Sequence, residues 1–255
     1  MKYISALVLL VLFFVVAPVR ADYTSAYTDY TFNYSKYRDS YNAYQVSKST
    51  YTTYKTLTAQ TDAIAKLKTA IQARDKVMAS YYDLLQEKLN ATTGIPSDSQ
   101  ATFFQMKTSE KSWMADHQKK IDAAATLDDL NLASSVFESH YPQFDSETKQ
   151  AVGMVLIAKE TNLAARWDVL ATGVSDKLKE INLAGENTTL GERDVISARN
   201  KKDLTMTDIT AVKTMLIPQN NQKTDLFGAQ QKLSEANQYL KEGTSYLLEI
   251  INGII

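Results

Sequence analysis

No cysteine occurs anywhere in the chain. Disulfide bonds, thiol catalysis, redox dithiols and cysteine-held metals are therefore excluded, and packing alone must hold the fold. Histidine is nearly as scarce, with His117 and His140 the two examples. Neither stands in a Glu-x-x-His, His-x-x-x-His or His-x-x-Glu-His context, so the sequence offers no zinc or di-iron motif. His117 follows Asp116 in a polar helical stretch and is expected to face solvent. His140 precedes Tyr141-Pro142 at an expected helix end, where an imidazole can favour the terminal carbonyls.

Glycine is also sparse, at eight residues in 255. No Gly-x-Gly-x-x-Gly, P-loop or Gly-x-Ser-x-Gly elbow can be assembled from them. The acidic pair Asp128-Asp129 lies at an expected helix start, where the helix dipole accounts for it. No catalytic residue, cofactor site or metal site is therefore assigned, and the expected class is non-enzymatic. Charge of one sign is lacking too: Lys plus Arg number 28 and Asp plus Glu 29. Such a balance predicts no nucleic-acid partner and no polybasic membrane contact.

Long apolar runs are confined to the start. Lys2 is followed by apolar or small residues from Ile4 to Ala17, then Pro18 and the small-x-small triplet Val19-Arg20-Ala21. This is the pattern of a signal peptide over residues 1–21, cleaved after Ala21; retention as an N-terminal anchor is the alternative. The run falls short of the roughly 20 residues a membrane span needs. After cleavage no transmembrane segment is expected. The product, residues 22–255, is then secreted or extracytoplasmic, in the periplasm or at the cell surface. The most apolar internal run, Ala151 to Ala158, is short enough for a buried helix segment. A membrane-inserting hairpin is the less favoured reading.

What the chain does contain is helical period. Tyr23, Tyr27, Tyr30, Tyr34, Tyr37, Tyr41 and Tyr44 are spaced alternately by four and three. Leu57, Ile64, Ile71, Met78 and Leu85 repeat every seventh residue, in a register that does not join the tyrosines. A break is expected near Thr56 to Thr61. Ser97 and Thr126 read as N-caps of two middle helices, the second ending near His140. Val152, Leu156, Leu163, Trp167, Leu170, Val174, Leu178 and Ile181 fit one face of the next. Residues 183–205 read as irregular. Leu226, Leu233, Leu240, Leu247 and Ile254 mark the last helix.

No strand alternation appears. The expected fold is all-α: an elongated antiparallel helical bundle or coiled coil in a single domain, residues 22–255. Its parts are a long helix or helix pair over 22–92, middle helices over 97–182 and C-terminal helices over 206–255. Tyrosine is a wide apolar ring with a hydroxyl that needs a partner when buried. The C-terminal helix offers a small row, Ala229, Ala236 and Gly243, beside a polar row, Gln230, Asn237 and Thr244. The tyrosine seam is expected to pack along those rows. The alternative makes the seven tyrosines a recognition face, because Asp22 to Gln60 carries only seven charged residues.

The leader, the tyrosine heptads Tyr23 to Tyr44 and the stretch "KTLTAQTDAIAKLKTAIQARDKVMASYYDLLQEKL" resemble uncharacterised exported helical proteins of candidate-phylum bacteria. The resemblance covers mainly the first 95 residues. It implies an envelope-exposed helical protein, and no functional residue carries over from it. The expected role is a structural or interaction protein at the cell envelope, self-associating or meeting an envelope protein or glycan. A glycan- or peptide-binding module built on the first helix is the alternative. A membrane-active helical protein is the least favoured.

Overall fold

The computed structural model describes residues 21–216 and 224–254. The signal peptide expected over 1–21 and the turn expected at Pro218 lie outside the described residues, apart from Ala21. Among the described residues there are six helices and no strand: α1 (Ala21–Tyr54), α2 (Leu57–Ala91), α3 (Ser97–Ala123), α4 (Leu127–Leu183), α5 (Thr189–Leu216) and α6 (Leu226–Ile254). The chain is all-α, as its periodicity requires. It divides into two compact units. The first holds residues up to 91 together with Phe104–Tyr141; the second holds Thr92–Phe103 and Pro142–Ile255.

In the first unit, α1 and α2 form an antiparallel hairpin. The expected break falls at Lys55-Thr56. Lys55 takes a left-handed φ of 52°, and the Thr56 hydroxyl accepts the Ala59 amide at 3.2 Å as an N-cap. Beyond α2, the chain returns as α3, fastened by Lys68 to the Asp122 carbonyl at 3.0 Å and by Lys111 to Asp83 at 3.1 Å. Thr126 opens α4 with a reciprocal cap: its hydroxyl takes the Asp129 amide while the Asp129 carboxylate takes the Ala125 and Thr126 amides. Leu67, Ile71, Ile121, Ala124, Leu130 and Ala133 close a core among α2, α3 and the start of α4.

α4 does not end near His140. It runs through Pro142, which leaves the Glu138 carbonyl without an i+4 amide. The division between the units falls at this point. In the second unit, Ala164, Trp167, Ala171 and Leu178 of α4 meet Val195 and Ala198 of α5 and Leu240, Leu247 and Ile250 of α6. Leu163 and Leu170, expected on the buried face, are exposed, and the alanines beside them turn inward instead. The run Ala151 to Ala158 is interior: Ala151, Gly153, Val155 and Ala158 are buried, and Leu156 and Ile157 pack on the Ile209, Val212, Leu216 cluster.

The irregular stretch expected over 183–205 is mostly helix. Only residues 184–188 leave helical structure, and they form a tight αL cap. Gly185 has a φ of 91°, its amide donates to the Asn182 carbonyl, and the Glu186 amide reaches the Ile181 carbonyl. The inward positions of α5 include Ala198 and Thr205. These small or polar residues carry the helical stripe without the hydrophobic signature that reveals one.

Candidate functional site

α1 is the least buried helix by composition and by placement. Over residues 22–54 the buried ones are Ala26 and Ser47. With the half-buried Asn33 and Ser40 they form a row that repeats every seventh residue, and this row, rather than the tyrosines, is the inward line of the helix. Small side chains let two helix backbones approach closely, and the rings then lie to one side of the line of contact. The Ser47 hydroxyl anchors one end on the Asp62 carboxylate. Tyr23, Tyr30, Tyr37 and Tyr44 are half-buried along one border of the row. Tyr27, Tyr34 and Tyr41 stand one step further out and remain 51%, 52% and 44% exposed.

The surface that receives the seam is α2. The Lys88 ammonium sits 4.7 Å from the centre of the Tyr23 ring, the Tyr30 ring is 5.3 Å from that of Tyr81, and Tyr44 packs on the Leu67 and Ile71 cluster. Each seven-residue step along α1 meets a seven-residue step back along α2. The C-terminal rows expected to receive the seam lie in the second unit. Those rows have other partners within their own unit. Ala229, Ala236 and Gly243 are fully buried. A Cβ on Gly243 would stand 2.9 Å from the Trp167 ring and 3.1 Å from the Ala198 carbonyl. The Ala236 carbonyl accepts the Thr205 hydroxyl at 3.1 Å. Thr244 accepts the Trp167 indole N–H at 3.2 Å, and the Asn237 amide donates to the Leu233 carbonyl at 3.1 Å. Gln230 is exposed. The polar row serves an indole and a backbone carbonyl rather than phenols.

The outer face of α1 is less polar than its sequence suggests. Thr28, Thr31, Thr50, Thr52 and Thr53 each donate their hydroxyl to the carbonyl four residues back, at 2.8–3.0 Å. A threonine bonded this way satisfies its own hydroxyl locally and turns its methyl away from the backbone. Phe32 and Val46 are exposed on the same helix. The result is a long face of phenols, methyls and few charges, a composition suited to a surface that is both apolar and hydrogen-bonding.

A second constellation lies inside the first unit, and it overturns the expectation for His117. That side chain is 2% exposed, not solvent-facing. Its Nδ1 is 2.6 Å from the Asp75 carboxylate and its Nε2 is 2.9 Å from the Ala133 carbonyl. A carbonyl only accepts, so Nε2 donates to Ala133, and Nδ1 pairs with Asp75. Trp113 stacks between His117 at 4.9 Å and His140 at 4.0 Å, and His140 Nε2 meets Glu110 at 2.7 Å. Arg74 lies beside Asp75 and flat on the Phe137 ring at 3.4 Å. Burial pushes its guanidinium below the usual range, against the upward pull of Asp75.

Both ring nitrogens of His117 are committed, so this arrangement orients a histidine without leaving it free to take a proton from a nucleophile. A buried pair of this kind fixes which helices meet and in what register. The signal was present in the sequence. Asp75 falls in the row Ile71, Asp75, Met78, Tyr82, Leu85, and Glu110 and His117 fall in the row Glu110, Met114, His117, Ile121. All three occupy positions that helical period assigns to the core.

In the second unit, Leu156, Glu160, Gln230, Leu233, Asn237 and Lys241 line an open groove of about 960 Å³ between α4 and α6. Glu160 is buried there, and burial raises its carboxyl above the usual range, opposed by the Asn237 hydrogen bond. Among the described residues, no group of three or more His, Asp and Glu side chains is placed to hold a metal ion. No helix among them is long and apolar enough to cross a membrane. Set against family models, curated proteins and solved structures, the chain matches none.

Proposed function

We propose that the chain is an exported, non-enzymatic interaction protein of the cell envelope whose contact surface is the outer face of α1. The observation that carries this reading is the exposure of Tyr27, Tyr34 and Tyr41 on a helix that buries little beyond Ala26 and Ser47. An exposed aromatic row on a helix with few charges supports contact with a second protein chain, either a copy of itself or an envelope component. The export half rests on the leader pattern over residues 1–21.

The triple variant Tyr27→Ser, Tyr34→Ser, Tyr41→Ser tests the contact. Sedimentation of the cleaved chain, with and without solubilised envelope, should show association that the variant loses while keeping its helical circular dichroism. Equal sedimentation of the two proteins in both settings would end the proposal. N-terminal sequencing of the exported product tests the leader, with Asp22 as the expected first residue. A glycan-binding role for the same face is favoured by phenols lying beside serine and threonine. It predicts that immobilised cell-wall polysaccharide retains the wild type and not the variant.

A further inference from the structure

The phenols of α1 form a run of ring contacts. Tyr23 stacks on Tyr27 at 6.5 Å, Tyr30 meets Tyr34 at 6.3 Å, and Tyr41 meets Tyr37 at 6.1 Å and Tyr44 at 6.5 Å. Tyr30 and Tyr81 are closer than any of these, at 5.3 Å with ring planes 43° apart, and they alone of these pairs join two helices. We propose that Tyr30 and Tyr81 are a site of oxidative phenol coupling, where a dityrosine bond staples α1 to α2.

Three features converge on this pair. The rings already meet across the hairpin at 5.3 Å, within the range of a direct aromatic contact. Tyr34 is more than half exposed and in ring contact with Tyr30, so an oxidant that never reaches the inner pair can take its electron from Tyr34. The radical then passes inward by exchange between neighbouring phenols. Finally, α1 buries few side chains and the chain has no cysteine to supply a covalent tie. Burial, followed by neighbouring phenols, also holds the Tyr30 and Tyr81 hydroxyls above the usual phenol range. Both are therefore neutral when oxidised, and each gives up a proton with its electron.

The oxidant is a haem peroxidase using hydrogen peroxide. Two phenols each lose one electron and one proton, and the peroxide takes both electrons and both protons to become two waters. The two phenoxyl radicals join through a bond between ring carbons ortho to oxygen. The hydrogens on those carbons then move to the oxygens, restoring two phenols. The protein ends two hydrogens lighter, with one new carbon–carbon bond.

The test is to treat the full exported chain, dilute enough to disfavour collisions between molecules, with a haem peroxidase and limiting peroxide. Expected are dityrosine fluorescence, a monomer lighter by two hydrogens, a digest fragment joining the Tyr30 and Tyr81 peptides, and a higher melting temperature because the link restricts the unfolded chain. Tyr30→Phe and Tyr81→Phe keep the ring and should each abolish the fragment, and Tyr34→Phe should slow its appearance. Unchanged circular dichroism in the Phe variants separates lost chemistry from lost folding. Coupling seen only between chains, a linked fragment lacking either residue, or no coupling at all would overturn the assignment. This outcome is independent of whether α1 binds a partner.

Discussion

Ala26, Asn33, Ser40 and Ser47 recur every seventh residue in α1, and Ala229, Ala236 and Gly243 do the same in α6. Both rows face inward and both let a neighbouring backbone come close. The helices differ in what flanks the row. In α6 the flank is Leu233, Leu240, Leu247 and Ile250, all buried, so the helix sinks between α4 and α5. In α1 the flank is tyrosine, and Tyr27 and Tyr34 stay about half exposed. A buried leucine contributes about 1.5–3 kcal/mol relative to an exposed one. A tyrosine lying along the border of a contact contributes part of its ring and keeps its hydroxyl hydrated. One period thus produces a core helix in one place and a presented surface in the other, and the flanking chemistry decides which.

The contrast breaks most plainly at the centre of α6. Leu240→Ala deletes a nearly inaccessible side chain from the Trp167 cluster and should cost about 2–5 kcal/mol in a denaturation experiment. Were the loss as small as that of an α1 tyrosine, the two helices would not differ in the way their burial indicates. Gly243→Ala is the next probe. Alanine favours helix over glycine by about 1 kcal/mol. Here, however, its Cβ would press on the Trp167 ring and on the fixed Ala198 carbonyl. Overpacking costs about 1–3 kcal/mol, so a net loss is expected where propensity alone predicts a gain. A gain would mean that the close approach is looser than the distances show.

Much of this architecture could be read from the residues. The tyrosine period, the break at Lys55-Thr56, the helix start at Ser97, the cap at Thr126 and the stripe of α6 all came from spacing and local chemistry. What stayed hidden has a common physical cause. Helical period shows where large apolar residues line up, but close helix contacts are made by small or polar ones. Ala164 and Ala171 turned inward where Leu163 and Leu170 were expected. The row from Ala26 to Ser47 turned inward where tyrosines were expected. Asp75, Glu110 and His117 occupied core positions under a polar disguise. Pro142 ends a helix by rule, yet α4 tolerates one missing hydrogen bond. What receives the tyrosine seam within its own unit was the least legible feature. α2 offered matching steps at Leu67, Tyr81 and Lys88.

A change smaller than either packing variant concerns pH. The Glu160 carboxyl is raised by burial, so the folded chain holds that proton more tightly than the unfolded chain does. The sign follows directly. The associated stability is fully present below the ordinary glutamate range and is lost as pH rises through the elevated folded value, because the unfolded chain releases its proton first. Melting curves of the wild type across that interval should decline with pH, whereas Glu160→Gln should flatten the decline. A slope unchanged by the substitution would assign the pH response elsewhere.

The finest test lies within α1 itself and separates its inward row from its outward one. Ser47→Ala removes a buried hydroxyl that bonds Asp62, and a hydrogen bond to a charged partner carries about 1.5–3 kcal/mol, discounted here because Asp62 is exposed. About 1 kcal/mol is expected. Tyr34→Ser removes a ring that is more than half exposed, and its effect should stay within about 0.5 kcal/mol. The bulky substitution should therefore matter less than the loss of one oxygen. That inversion follows only if the small row is the contact and the tyrosines border it. If Tyr34→Ser proves the costlier change, the rings themselves hold α1 in place, and its outer face has less freedom to meet a partner.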